Sequence, residues 1–165
     1  FILSDLMKKI SRRQSLFFLV CAAMLSPLMG RAVAQGLVSF EKAKLAIITE
    51  SGRHEFDVEL ALSDRQQAHG LMFRQSLPAA AGMLFDYRIP TRITMWMKNT
   101  FIPLDMIFIG ADGRITNIVQ RTVPMSETTI ASKGEVRAVL EVNSGTVARL
   151  GIEPGDKILS ATLRQ

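Results

Sequence analysis

Leu104-Asp105-Met106-Ile107-Phe108-Ile109-Gly110-Ala111-Asp112-Gly113-Arg114-Ile115-Thr116-Asn117-Ile118-Val119 is a pair of apolar runs around a turn signal. Asp and Gly tolerate the positive φ that tight hairpin turns demand, and aliphatic and aromatic residues fill the flanking runs. The segment therefore predicts a strand hairpin. Parity then sorts the first run: Leu104, Met106 and Phe108 share one face, and Asp105 shares the other with Ile107 and Ile109. A carboxylate on an apolar face needs a partner.

Working outward, residues 37–62 read as two extended runs around Ser51-Gly52, with Leu45, Ile47 and Thr49, then Phe56, Val58 and Leu60, at period two. Further strands are expected at Met83 to Tyr87, Ile93 to Lys98, Val136 to Val142 and Lys157 to Leu163. Ser63-Asp64-Arg65-Gln66 has the form of a capping box and opens a short helix that Gly70 ends. A second short helix runs from Ser144, read as its N-cap, to Leu150, with Gly151 closing it. The expected fold is mainly β, a β-rich α+β domain. It is a compact closed or nearly closed barrel of about eight short strands with two short helices, because closure leaves few exposed strand edges. No repeat or linker divides residues 35–165, so they are read as one domain.

Three segments carry a family resemblance. They are Gly70-Leu71-Met72-Phe73-Arg74-Gln75-Ser76-Leu77-Pro78 with Gly82-Met83-Leu84-Phe85; Trp96-Met97-Lys98-Asn99-Thr100 with Ile102-Pro103-Leu104-Asp105-Met106; and Arg137-Ala138-Val139-Leu140-Glu141-Val142-Asn143 with Gly145 and Leu150-Gly151-Ile152. From about Phe56 to Ile158 the chain resembles the domain of unknown function 192 family of small, often exported proteins. The resemblance implies a single β-rich domain and an unassigned activity. Inside it, Leu150-Gly151-Ile152-Glu153-Pro154-Gly155-Asp156-Lys157-Ile158 is similar to the Gly-Asp turn of cradle-loop barrels, including swapped-hairpin DNA-binding regulators. Gly155 suits such a turn, and the Asp156 carboxylate can accept backbone N–H bonds within it.

The chain has 165 residues, a formal charge of +5 and a pI near 9.8. That charge is unevenly placed. Residues 1–34 hold five Lys or Arg against one Asp, leaving fifteen bases and fourteen acids for residues 35–165. Such a balance argues against nucleic acid as a partner. The first 34 residues have the three parts of a cleavable signal peptide: a basic head at Lys8, Lys9, Arg12 and Arg13, an apolar run from Leu16 to Met29, and Ala32-Val33-Ala34 as an A-x-A site. Fourteen helical residues rise about 21 Å, too little for the hydrocarbon core, so no stable membrane span is expected after cleavage. The reading is a periplasmic or extracellular protein, taken as a monomer and exported by the general secretory or the twin-arginine route. Ser11-Arg12-Arg13-Gln14-Ser15-Leu16 resembles the twin-arginine signature in part. Cys21 is the one cysteine, so residues 35–165 hold no disulfide or thiolate.

Strand parity places Lys98 with Thr94 and Trp96, and Arg137 and Glu141 with Val139. Arg74, Trp96, Lys98, Asn99, Asp105, Arg137, Glu141 and Asn143 are therefore the candidate ligand-binding residues, converging at a barrel mouth. An ion-pair network that holds strand register would use the same residue types. The leading expectation is a binding module for a small molecule or a cell-envelope polymer, with Lys and Arg receiving an anionic group and Trp96 offering an aromatic face. The alternative is a hydrolase-type envelope enzyme using Asp105, Lys98 and His69. His69 could otherwise interact with the carbonyls ending its helix. Met95 and Met97 beside Trp96 resemble Cu(I) or Ag(I) sites, although Met is ordinary core filler. No zinc motif, P-loop, dinucleotide fingerprint or G-x-S-x-G occurs, so neither cofactor nor metal is expected.

Overall fold

The computed structural model describes residues 38–164. The leader expected over residues 1–34 lies outside them. Strands β1 (Glu41–Thr49), β2 (Gly52–Ala61), β3 (Ala81–Met95), β4 (Leu104–Ile109), β5 (Ile115–Val119), β6 (Ile130–Asn143) and β7 (Lys157–Ser160) are joined by helices α1 (Asp64–His69) and α2 (Thr146–Leu150). A 3₁₀ turn, Thr162–Arg164, follows β7. The sheet runs β5-β4-β6-β3-β2-β1-β7, antiparallel except where β2 and β3 run parallel through the α1 crossover.

The sheet is a curled half-barrel whose two edge strands meet at one end. Arg114 bridges Lys157, and the Ile115 N–H and C=O bond Asp156 and Gly155 at 3.0 and 2.8 Å. The Gly-Asp turn makes this closure possible. Gly155 adopts φ +101°, and the Asp156 carboxylate accepts the Glu153 N–H at 2.8 Å.

Two cores lie on the two faces of the sheet. The inner one takes Leu45, Ile47, Phe56, Val58, Leu84, Ile107, Ile115, Leu140 and Ile158, with contributions from all seven strands. The outer one takes Met83, Phe85, Met106, Phe108 and Val139 from three central strands, roofed by Leu71, Met97 and Ile102 from connecting segments. β4 is consequently buried at every position. Side chains of either parity on the central strands leave water, which decides the fate of every polar group placed there.

Seven strands replace the expected eight, because the segments Met83 to Tyr87 and Ile93 to Lys98 fuse into β3. The fusion is interrupted by register shifts between Asp86 and Thr91 and between Arg92 and Thr94. The strand ends at Met95, so parity no longer carries Trp96 and Lys98. α1 has the expected reciprocal capping box between Ser63 and Gln66. α2 departs from expectation: Gly145, at φ +83°, is its N-cap in place of Ser144, so the N-cap residue itself offers no side-chain bond.

Candidate functional site

A cleft of about 450 Å³ opens on the outer face beneath the segment that follows α1. Its lining includes His69, Met72, Tyr87, Met95, Trp96 and Glu141. β6 supplies Glu141, β3 supplies Tyr87 and Met95, and the α1 end supplies His69. Tyr87 Oη donates to Met95 Sδ at 3.4 Å, tying two residues across the bulged part of β3. His69 is half-buried between the rings of Phe40 and Phe73, with centroids 6.3 and 6.1 Å away. Phe73 also meets Phe101 edge-on at 6.2 Å. These contacts build an aromatic cluster beside the cleft; Phe73 in that cluster and Trp96 on the cleft wall are each about half exposed.

Glu141 is the polar feature of this cleft. Register pairs it with Met83 on β3 and Met106 on β4, both fully buried. Its own exposure is 4%, and its carboxyl has neither a hydrogen bond nor an ion pair within the described residues. Burial pushes its pKa up to about 8. The acid is therefore mostly protonated at neutral pH. Burial also raises the Tyr87 hydroxyl to about 12, with the nearby Glu141 charge adding to the effect.

Of the expected binding residues, Glu141 and Trp96 line the cleft and the others do not. Asp105 pairs in register with Val142, whereas Glu141 pairs with Met106, so alternation sets the two carboxyls on opposite faces of the sheet. Asp105 is fully buried, accepting the Arg121 N–H on Oδ1 at 2.9 Å and the Val147 N–H on Oδ2 at 3.0 Å. It thereby caps α2 from a distant strand. Arg137 sits in the β3–β6 register shift and donates from Nε and Nη2 to the two Asp86 oxygens at 3.2 Å each, with a further bond to the Leu163 carbonyl at 2.8 Å. Arg74 forks onto Glu59 at 2.9 and 2.5 Å, holding that carboxyl below its ordinary range. Asn143 ties down the Leu77 and Pro78 carbonyls at 2.9 and 3.0 Å.

Lys98 stands 5.1 Å from the centroid of the Trp96 ring and 3.5 Å from Glu127. Asn99 holds φ 55°, and its carbonyl accepts the Phe73 N–H at 2.8 Å. The expected convergence of Lys98, Asp105, Arg137 and their neighbours is thus replaced by separate structural contacts. Nor does the structure bring Asp105, Lys98 and His69 together, since Asp105 lies across the sheet from the cleft that His69 lines.

The Met95/Met97 pair is also split. Met97 lies past the end of β3, is buried at 1% exposure and sits 3.1 Å from Thr122 Oγ1, whereas Met95 faces the cleft. Among the described residues no three His, Cys, Asp or Glu side chains group for a metal ion. His54 hydrogen-bonds Thr49 and Ser51 at the β1–β2 turn. Sequence reasoning missed Tyr87 and Met72, and named Met95 only as half of a thioether metal pair. Parity with Met83 and Phe85 was the signal available for Tyr87; the other two reach the cleft through bulge and loop geometry that sequence pattern does not carry.

Comparison with known proteins agrees with this architecture. The family model DUF192, described as "Uncharacterized ACR", matches residues 46–160. A search of curated proteins finds no match. A solved structure from Sinorhizobium meliloti 1021, described as a candidate transcription regulator, is 47% identical with a TM-score of 0.74, covering 76% of this chain and 98% of its own. A protein of unknown function from Novosphingobium aromaticivorans DSM 12444 is 45% identical with a TM-score of 0.73, covering 75% of this chain and 89% of its own.

Proposed function

The chain belongs to the DUF192 family, and from that premise we propose that it is a small-ligand-binding module whose ligand seats over Glu141. The observation that carries this reading is the Glu141 carboxyl, nearly fully buried, without a hydrogen-bond or ion-pair partner among the described residues and bordering an open cleft. A carboxyl in such a place forfeits hydration and gains nothing in return from the fold. A ligand able to bond it recovers the loss. The aromatic and thioether walls add the apolar contact that small-molecule sites usually supply. A cleft of this size admits a small molecule or the terminal unit of an envelope polymer.

A thermal-shift screen of the full chain tests the reading against envelope sugars, peptidoglycan fragments, small amines and small acids. A ligand must raise the melting temperature by mass action. Glu141→Gln should abolish that rise while leaving a folded protein. A ligand whose shift survives both Glu141→Gln and Trp96→Ala binds elsewhere and overturns the proposal.

The setting we propose is outside the cytoplasm, supported by the basic head, the apolar run and the Ala32-Val33-Ala34 site. N-terminal sequencing of material recovered from the periplasm should begin at Gln35. A mature protein that starts upstream of Ala32 would refute cleavage there.

A further inference from the structure

We propose that the ligand of the Glu141 cleft is an organic monocation, a small molecule carrying an ammonium or guanidinium group that pairs with this carboxyl. The inference rests on the reading of the cleft as a ligand site and narrows it to one chemical class. Charge is the first argument. Among the side chains lining the cleft, Glu141, His69 and Tyr87 titrate and none is Lys or Arg, so an anionic ligand would meet no countercharge. Elsewhere in this fold the acids of limited exposure are satisfied: Asp86 by Arg137, Glu59 by Arg74, and Asp105 by two backbone N–H groups. Glu141, by contrast, has no such partner among the described residues.

The walls are the second argument. The rings of Phe85, Tyr87 and Trp96 line the cleft with the thioethers of Met72 and Met95. Aromatic faces attract a cation and the alkyl groups around it, and thioethers adapt to such a shell. Trp96 already receives a cation, since Lys98 Nζ lies 5.1 Å from its ring centroid and is held there beside Glu127. A ligand charge therefore falls to Glu141, with the Tyr87 and Phe85 rings beside it. The Lys98 charge, countered by Glu127, limits how far the cationic group can lie toward the Trp96 rim.

Pairing has a proton consequence. Glu141 is mostly protonated at pH 7, and an ammonium seated against it favours the carboxylate, so the proton leaves to solvent as the ligand binds. The groups facing Glu141 from its neighbours are Met83 of β3 and Met106 of β4, neither of which titrates, and across the cleft His69 and Tyr87.

The test uses the full chain at pH 7 with three probes that share one ring: phenethylammonium, 3-phenylpropan-1-ol and 3-phenylpropionate. Titration calorimetry in two buffers of different ionisation heat should show the cation binding about tenfold or more tightly than the other two, with release of about one proton. Glu141→Gln keeps the shape, removes the charge, and should erase both the preference and the proton release. Proton release in the unsubstituted protein stands as evidence even if that variant folds poorly. Equal or tighter binding of the alcohol or the acid overturns the cationic class, and cation binding that lacks proton release and survives Glu141→Gln overturns the pairing with this carboxyl. If either of those probes binds and Glu141→Gln or Trp96→Ala abolishes it, the cleft remains the ligand site; if binding survives both substitutions, the site reading falls as well. No binding of any probe overturns the cationic class.

Discussion

Asp105 and Glu141 stand on neighbouring strands of a sheet buried on both sides, yet only Asp105 has its oxygens satisfied. Asp105→Ala would strand the Arg121 and Val147 N–H groups in a buried site, at a cost of about 2 to 4 kcal/mol measurable by urea unfolding. Asp105→Asn keeps one acceptor and should cost less. Glu141 gives the opposite expectation. Its folded pKa, about 8, lies above its ordinary 4.5, so the native state binds more protons than the unfolded state between those values. Its contribution to stability is full below about pH 4.5 and is lost as pH rises through about 8. The melting temperature of the protein should fall over that window by several degrees relative to Glu141→Gln, whose amide does not titrate. Parallel curves for the two proteins would show that burial does not perturb Glu141.

At the scale of elements, the β3–β6 register shift is where the fold depends on a charged pair. Arg137 and Asp86 have side chains only 12% and 4% exposed, and the same arginine holds the C-terminal 3₁₀ turn through the Leu163 carbonyl. Removing Arg137 leaves a buried carboxylate without its cation. Arg137→Ala should therefore cost about 3 kcal/mol or more in equilibrium unfolding. Arg74→Ala, which breaks a pair 29% and 23% exposed, should cost about 1 kcal/mol. A smaller loss at Arg137 than at Arg74 would contradict the assigned burial. The same shift explains the strand count: four residues of β3 lie between the paired positions Asp86 and Thr91, whereas only Arg137 lies between their partners Ala138 and Val136. Two apolar runs interrupted by Arg88-Ile89-Pro90-Thr91-Arg92 look like two strands, because a bulge leaves no simple period behind.

For the whole molecule, the charge balance of residues 35–165 bears on the regulator description attached to the Sinorhizobium relative. Fifteen bases against fourteen acids supply few of the phosphate contacts that dominate non-specific affinity. α2, with five residues and one basic side chain, is too short to read a major groove. Residues 35–165 should show no salt-dependent binding to mixed-sequence duplex at physiological ionic strength. Micromolar binding that falls steeply with added salt would overturn this expectation. No helix among the described residues is long and apolar enough to cross a membrane.

What the amino-acid sequence determined by itself is whatever depends on neighbours along the chain. Period-two burial in β2, the Ser63/Gln66 capping box, the Ala111-Asp112-Gly113 hairpin turn and the Gly155-Asp156 turn are all local matches of side chain to backbone. Parity also placed Asp105 with Ile107, and Glu141 with Val139, correctly on their own strands. What only the tertiary structure decided is which of those faces meet. Register between strands far apart in sequence set Asp105 and Glu141 on opposite sides, and a backbone amide of α2, 42 positions away, took the partner role that sequence reasoning assigned to a charged side chain. Local pattern says that a buried carboxyl needs a partner; only the packing of non-adjacent segments says which one has found it and which one faces a cleft.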